Sequence, residues 1–194
     1  MRELREDLRL IYDWIAPNSK VLDLGCGDGQ LLAALVEEKN CIAYGVELDT
    51  DSVIAAMDLG VNVIQSDLES GLRHGFADNS FDVVVLSQTI QAMKNTEIIL
   101  QEMKRVARQA IVTFPNFGYW RNRLQIAQGR MPVSESMPYE WYNTPNIHWC
   151  TLADFDALCA KNGLAVLERT VMSGGKRIDF LPNLLGSLAF YRVG

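Results

Sequence analysis

The sequence has few of the residues that bind metal ions or form disulfide bonds. Its 194 residues include four cysteines and two histidines, and no two cysteines form a C-x-x-C pair. Structural zinc sites and disulfide frameworks use closely spaced cysteines, so neither is expected, and no metal site is predicted. We therefore expect reduced thiols in a cytoplasmic protein. The cysteines are Cys26, Cys41, Cys150 and Cys159.

An excess of positive charge is also missing, since 18 Lys and Arg residues oppose 24 Asp and Glu residues and give a net charge of -6. Nucleic acids and anionic membranes are bound by clustered cationic side chains, so neither is expected as the main partner. The sequence has no apolar run of the roughly 18–20 residues that a membrane-spanning helix needs. The first residues mix acids and bases and lack the apolar core of a signal peptide, which again predicts a cytoplasmic location.

What the sequence does contain is an alternation of short apolar runs with helical segments. This alternation is typical of the α/β class and predicts a doubly wound, Rossmann-like, mostly parallel sheet. The last two strands are joined by a loop without a helix, so the final strand is expected to run antiparallel. The length fits a single domain over residues 1–194. The seven predicted strands are 20–24, 41–46, 61–65, 81–86, 110–114, 164–171 and 187–193.

A glycine-rich turn follows the first predicted strand. Gly25, Gly27 and Gly29 are spaced by two, Asp23 precedes them and Asp28 lies among them. Strand, glycine turn and helix in this order bring the backbone close to a nucleotide-like ligand. Dinucleotide sites usually have G-x-G-x-x-G, and two carboxylates disfavour a phosphate but suit a cationic ligand. S-adenosylmethionine has a sulfonium, an ammonium and a ribose, and this region resembles the class I S-adenosylmethionine-dependent methyltransferases.

Acidic residues follow the next strands at the edge where open α/β sheets bind ligands. Glu47 ends the second strand about twenty residues beyond the glycine turn, where a carboxylate can accept both ribose hydroxyls. The resemblance implies that Asp67 faces the adenine amino group and that Asp23 supports the turn and the ligand ammonium. It also implies that Ser87 faces the methionine end of the ligand. The remaining predicted contacts of S-adenosylmethionine or S-adenosylhomocysteine are Cys26, Leu48 and Leu68, and NAD is the alternative ligand.

A catalytic base is less evident than the ligand site. The segment after the fourth strand lacks the N-P-P-Y type of motif that methylates exocyclic amines of nucleobases. Gln91 stands close to where many small-molecule methyltransferases of this fold have a histidine, and a glutamine cannot act as a general base. His148 is the remaining imidazole of interest, because His74 lies in a polar loop. Whether the chain is an enzyme is left open by these residues.

A long aromatic-rich insertion at about 116–150 is the second unusual feature. It contains three of the four Trp and three of the six Pro residues of the chain. Connections of this length are usually lids or binding surfaces, and Trp, Tyr and Arg dominate the energetics of protein interfaces. The alternative is a helical cap with a small core of its own. The predicted substrate or partner residues are Trp120, Arg123, Tyr142 and His148.

The insertion resembles the MetW family of methionine biosynthesis proteins. The resemblance rests on residues 114–120, 129–132 and 141–148 and on residues 181–184 near the end of the chain. It implies an S-adenosylmethionine-binding protein that acts as an accessory partner of homoserine O-acyltransferase, the enzyme that activates homoserine for methionine synthesis. The alternative function is a methyltransferase that acts on an unidentified small molecule.

Overall fold

The computed structural model describes residues 4–69 and 75–194. Their strands form one sheet of eight strands in the order β3-β2-β1-β4-β5-β8-β6-β7. The prediction for His74 lies outside the described residues. The strands are β1 Lys20–Leu24, β2 Ile42–Glu47, β3 Asn62–Gln65, β4 Phe81–Ser87, β5 Ala107–Pro115, β6 Val166–Ser173, β7 Lys176–Arg177 and β8 Leu188–Val193.

The pairing of these strands confirms the predicted fold class. Strands β1 to β5 are parallel, and β8 runs antiparallel between β5 and β6. The predicted count of seven strands is wrong by one, because the two-residue strand β7 pairs antiparallel with β6. Gly174 and Gly175 take φ values of +53° and +71°, which glycine adopts at little cost. This turn reverses the chain where the sequence alone indicated a loop. The prediction that this connection has no helix is wrong, because a short helix at Pro182–Leu185 precedes β8.

Seven helices and one 3-10 turn lie entirely within the described residues. Two of them begin at side-chain caps. Asp49 accepts a hydrogen bond from the Ser52 amide, and Thr151 forms a reciprocal capping box with Asp154. The helices are α1 Glu6–Trp14, α2 Gln30–Lys39, α3 Thr50–Asp58, α4 Thr96–Val106, α5 Trp120–Ala127, α6 Leu152–Lys161 and α7 Pro182–Leu185, and the 3-10 turn is Ile90–Ala92.

Two apolar cores lie on the two faces of the sheet, as a doubly wound fold requires. Helices α1 and α2 cover one face, where Ile11 and Leu35 are fully buried. Helices α4 and α6 cover the other face, where Phe155 packs against Phe114 with ring centroids 4.8 Å apart. Strand β4 has five of its seven residues buried, since helices cover it on both sides. The sheet is therefore a rigid support for the loops at its carboxyl ends.

The boundaries of several elements differ from the predictions by a few residues. Strand β5 begins at Ala107, directly after α4, whereas the apolar pattern placed its start at residue 110. Strand β6 begins at Val166 rather than at residue 164. Within the described ranges, no helix is both long and apolar enough to cross a membrane. The single domain and the cytoplasmic location remain predictions.

Candidate functional site at the carboxyl edge of the sheet

The glycine turn after β1 is held in an unusual backbone conformation. Gly25, Gly27 and Gly29 have φ values of +76°, +55° and +76°, in the left-handed region that favours glycine. The amides of Gly25 and Cys26 donate to the Val46 carbonyl oxygen at 2.8 and 3.2 Å. A Cβ atom at Gly25 would lie 2.7 Å from the Thr89 hydroxyl oxygen, whereas one at Gly27 would meet no atom within 4 Å. Gly25 is therefore required by packing, and Gly27 leaves open space beside the turn.

Glu47 ties the end of β2 to this glycine turn. One carboxylate oxygen, Oε2, accepts a hydrogen bond from the Gly27 amide at 2.9 Å. The other, Oε1, accepts from the amides of Leu48 and Asp49 at 2.7 and 3.0 Å. Three backbone donors thus fix the carboxylate, and its remaining lone pairs are available to other donors. The arrangement presents an oriented acceptor beside the glycine turn.

Asp23 is a buried carboxylate near the end of β1. Its exposed fraction is 3%, and its Oδ1 atom has no hydrogen-bond partner within residues 4–69 and 75–194. Burial, together with the nearby charge of Glu47, raises the pKa of Asp23 from 3.8 to about 7. A buried acceptor that lacks a partner is costly, so it favours a cationic or hydrogen-bond-donating ligand.

The other predicted ligand contacts lie at the ends of β2, β3 and β4. Leu48 is exposed, and Asp67 is exposed with its Oδ1 accepting from the Glu69 amide at 2.9 Å. Leu68 is buried in the core on the α4 side of the sheet. Ser87 ends β4, and its hydroxyl lies 3.1 Å from the Thr113 hydroxyl. All four residues are at the carboxyl edge, which is where the sequence placed them.

Cys26, another predicted contact, is a buried thiol within the glycine turn. Burial, assisted by the charges of Asp23 and Glu47, raises the pKa of Cys26 to about 12. A thiol with this pKa is protonated near neutral pH and is a poor nucleophile. A side chain at Gly45 would clash with the Cys26 sulfur, so the thiol fills the space between the turn and β2. Cys26 is therefore a packing residue of the turn.

The sequence analysis missed three polar residues at this edge, which are Asp7, Gln88 and Thr113. Gln88 has φ +48°, and its amide donates to both the carbonyl and the hydroxyl oxygen of Thr113 at 3.0 Å. Its side-chain Nε2 donates to Asp7 of α1 at 2.7 Å. Thr113 could have been found as a polar residue inside an otherwise apolar strand. The link between Asp7 and Gln88 joins residues 81 positions apart and leaves no local signal.

The residues predicted in the insertion lie in separate places. Trp120 begins α5 and is 41% exposed, and Tyr142 is 70% exposed. The Arg123 Nε donates to the Gly118 carbonyl oxygen at 2.5 Å. The exposed His148 has its Nε2 3.4 Å from the Lys94 carbonyl oxygen. The structure therefore does not gather these four side chains into one pocket.

Gln91 has a structural role between the 3-10 turn and the insertion. Its carbonyl oxygen accepts hydrogen bonds from the amides of Ile147 and His148 at 2.8 and 3.0 Å. Its side-chain Nε2 donates to the Gln88 carbonyl oxygen at 2.7 Å. These bonds attach the end of the insertion to the segment after β4.

Two cavities flank this segment. One, of about 430 Å³, is lined by polar residues that include Asp7, Gln88 and Glu135. The other, of about 500 Å³, lies between α4 and α6 and includes Gln91 and His148 in its wall. Gln88 and Gln91 therefore border different cavities.

The carboxyl edge fits S-adenosylmethionine by the chemistry of its groups. The buried Oδ1 of Asp23 lacks a partner, Glu47 presents an oriented carboxylate, and Gly27 leaves space for close approach. These acids suit a ligand with a sulfonium, an ammonium and ribose hydroxyls better than one with phosphates.

Comparisons with known proteins agree with this chemistry. The family model of the methionine biosynthesis protein MetW matches residues 5–193. A bifunctional methionine biosynthesis protein MetXA/MetW of Rhodopirellula baltica is 37% identical over 206 residues, which cover 97% of this chain and 33% of that protein. The chain thus spans about a third of the length of this relative.

Solved structures show the same fold at low sequence identity. An S-adenosylmethionine-dependent methyltransferase of Thermotoga maritima has a TM-score of 0.69 at 19% identity, over 97% of this chain and 86% of that chain. A phosphoethanolamine N-methyltransferase of Haemonchus contortus in complex with S-adenosylhomocysteine has a TM-score of 0.71 at 16% identity, over 97% and 52%. The predicted cofactor, S-adenosylmethionine, is the one that gives this class of methyltransferases its name. The chain belongs to the MetW family of methionine biosynthesis proteins and has the fold of S-adenosylmethionine-dependent methyltransferases.

Proposed function

We propose that this chain binds S-adenosylmethionine and acts as an accessory subunit of a homoserine O-acyltransferase. The observation that carries the proposal is the relative in which MetXA and MetW share one polypeptide. When two proteins are fused into one polypeptide, the fusion keeps them close together. Separate chains can reach the same proximity by binding each other. In this proposal, the MetXA part of that relative is the acyltransferase.

Three acids at the carboxyl edge would hold the ligand. Asp23 would face the ammonium group, Glu47 would accept the ribose hydroxyls, and Asp67 would accept the adenine amino group. Leu48 and Leu68 would contact the adenine, and Ser87 would lie near the methionine end. The bound ligand would supply a sulfonium-activated methyl group. S-adenosylhomocysteine has the same adenosine and amino-acid groups and would use the same residues.

An accessory role is supported by the side chains near the segment after β4, because Gln91 and Cys26 are poor general bases. Gln91 binds the backbone on both sides and has no proton to exchange near neutral pH. The Cys26 thiol is protonated, because burial raises its pKa to about 12. The imidazole of His148 borders the cavity between α4 and α6, whereas Gln88 borders the other cavity.

A second candidate function, methyl transfer to a small molecule, is favoured by the polar cavity of about 430 Å³ beside Gln88. Asp7 and Glu135 in its wall suit an acceptor with a cationic or hydroxyl group. The test is transfer of a labelled methyl group from S-adenosylmethionine to a metabolite extract. Label in a product would support this function, and its absence with ligand binding intact would count against it.

The direct test of the accessory role is the rate of homoserine acyl transfer. The acyltransferase of the same organism is assayed with increasing amounts of this chain at several S-adenosylmethionine concentrations. We expect the rate to rise and reach a plateau when the accessory subunit is in excess. An unchanged rate together with no association would reject the accessory role. A calorimetric titration of S-adenosylmethionine and of NAD separates the two ligand hypotheses, and we expect heat of binding for the first alone.

A further inference from the structure

Helix α5 has its polar and apolar residues in the reverse of the usual arrangement. Asn122 is the residue of this helix that is fully buried, and its Oδ1 lacks a hydrogen-bond partner within the described ranges. Trp120 and Leu124 are 41% and 49% exposed. These two residues are separated by one helical turn and share a face with Ala127, opposite Asn122. An apolar stripe that points outward from a surface helix indicates a covering partner.

A second group of exposed apolar residues lies at the start of α7, beside a cleft that α5 borders through Arg123. The cleft has a volume of about 280 Å³, and Arg123 and Leu181 both line it. Leu181 and its neighbour Phe180 are 52% and 73% exposed. Pro182 and Leu184 contribute further apolar surface to the wall. We call the surface formed by Trp120, Arg123, Leu124, Phe180 and Leu181 the α5 face.

Hydrogen bonds between distant segments hold the α5 face rigid. The buried Asn116 donates from Nδ2 to the carbonyl oxygens of Asn183 and Gly186 at 3.1 and 2.8 Å. Its Oδ1 accepts from the Gly118 amide, and the Asn183 Oδ1 accepts from the Leu152 amide. Two of the segments on which the family resemblance rests, 114–120 and 181–184, are thereby joined. A preorganised surface loses little conformational entropy when it binds.

Helix α5 is positively charged, in contrast to the chain as a whole. Helix α5 contains Arg121 and Arg123 and no acidic residue, whereas the chain has a net charge of -6. The guanidinium of Arg121 lies 5.4 Å from the centre of the Trp120 ring. A tryptophan flanked by arginines is a frequent anchor of protein interfaces. Its partner surface would be apolar at the centre and acidic at the rim.

We propose that the α5 face is the docking surface for the homoserine O-acyltransferase subunit, through an apolar patch of that enzyme with an acidic rim. This inference rests on the proposed accessory function, which supplies the partner. The predicted ligand contacts and the α5 face share no residue, so we expect ligand and partner to bind at different places.

The test compares matched substitutions on two exposed helices. Leu124→Asp changes an aliphatic side chain on α5, and Ile54→Asp changes one of similar exposure, 52%, on α3. Sedimentation velocity of each full-length variant with the acyltransferase gives the dissociation constant. We expect Leu124→Asp to weaken binding at least tenfold and Ile54→Asp to change it less than twofold. Leu124→Lys should weaken binding less than Leu124→Asp does, because an acidic rim repels only the carboxylate. Circular dichroism confirms that the variants are folded.

Each other outcome overturns a different statement. If the wild-type chain does not bind the acyltransferase, the accessory function fails and the α5 face has no such partner. If the wild-type chain binds and Leu124→Asp binds equally well, the function stands and the docking surface is wrong. If the chain alone sediments as a dimer that Leu124→Asp dissociates, the α5 face binds a second copy. If Leu124→Lys weakens binding as much as Leu124→Asp, the acidic rim is wrong.

Discussion

The glycine turn and the insertion differ in how completely the chain itself provides partners for their polar and apolar groups. At the turn, backbone amides donate to Val46 and Glu47, and Gly25 and Gly29 take positions where a side chain would clash. In the insertion, Trp141 and Tyr142 are 71% and 70% exposed. Hydrogen bonds within the chain hold the turn, and one oxygen of Asp23 is the exception that lacks a partner within the described residues. The insertion leaves apolar surface uncovered, which is typical of an interface.

This difference indicates that the two regions depend on different kinds of interaction. The glycine turn requires exact backbone geometry, so small changes there should affect both ligand binding and stability. The exposed residues of the insertion stabilise the free chain little, so changes there should act on partner binding instead. Substitutions in the two regions can therefore separate the two proposed functions.

The largest effect is expected for Gly25→Val. The new side chain would meet Thr89 and would require a positive φ, so we expect a loss of about 3–5 kcal/mol of unfolding free energy and no detectable S-adenosylmethionine binding. Gly60→Ala is the matched control, since Gly60 also has φ +76° but has open space around it. The control should lose about 1 kcal/mol and retain binding. Chemical denaturation and calorimetry measure both quantities, and normal binding by Gly25→Val would contradict the site.

The second largest effect is expected to be a pH dependence of the unfolding free energy that comes from Asp23. Burial raises its pKa from 3.8 to about 7, so between these values the folded chain binds more protons than the unfolded chain. The contribution of Asp23 to stability is therefore greatest below pH 4 and is lost as the pH rises to about 7. Asp23→Asn should remove roughly 2–4 kcal/mol of this decline, measured by denaturation at pH 4, 5.5 and 8. Parallel pH curves for the two proteins would show that Asp23 has an ordinary pKa.

Asn116→Ala should reduce stability by about 2–3 kcal/mol. The variant loses the hydrogen bonds that Asn116 makes with Gly118, Asn183 and Gly186, and it leaves buried backbone groups without partners. Asn143→Ala is the control in the same insertion, because Asn143 is exposed. Thermal unfolding of both variants measures the difference. Equal melting temperatures would show that these hydrogen bonds do not hold the insertion in place.

The sequence predicted the glycine turn well because its signals are local. Spaced glycines, an apolar strand and acids at strand ends depend on neighbouring residues, and the seven predicted strands occur within a few residues of where the patterns placed them. The link between Asp7 and Gln88 joins distant segments, so no local pattern shows it. The two-residue strand β7 was also missed, because its pairing with β6 follows from a glycine turn rather than from a hydrophobic pattern.

The smallest effect is expected for Trp141→Ala. The ring is 71% exposed and contacts Tyr142 edge to face, so its removal should change the unfolding free energy by less than about 0.5 kcal/mol. S-adenosylmethionine affinity should also be unchanged. Denaturation and calorimetry on this variant test whether the exposed part of the insertion is independent of the carboxyl edge. A large loss of stability would indicate that Trp141 belongs to a core of the insertion.

The most direct test of two separate binding regions is sedimentation of the chain with the acyltransferase and radiolabelled S-adenosylmethionine. We predict that the label moves with the complex for the wild-type chain. For Leu124→Asp, the label should stay on the chain while the complex disappears. Loss of label as the complex forms would show that ligand and partner compete for one site, and absence of label from the chain would show that the carboxyl edge does not bind S-adenosylmethionine.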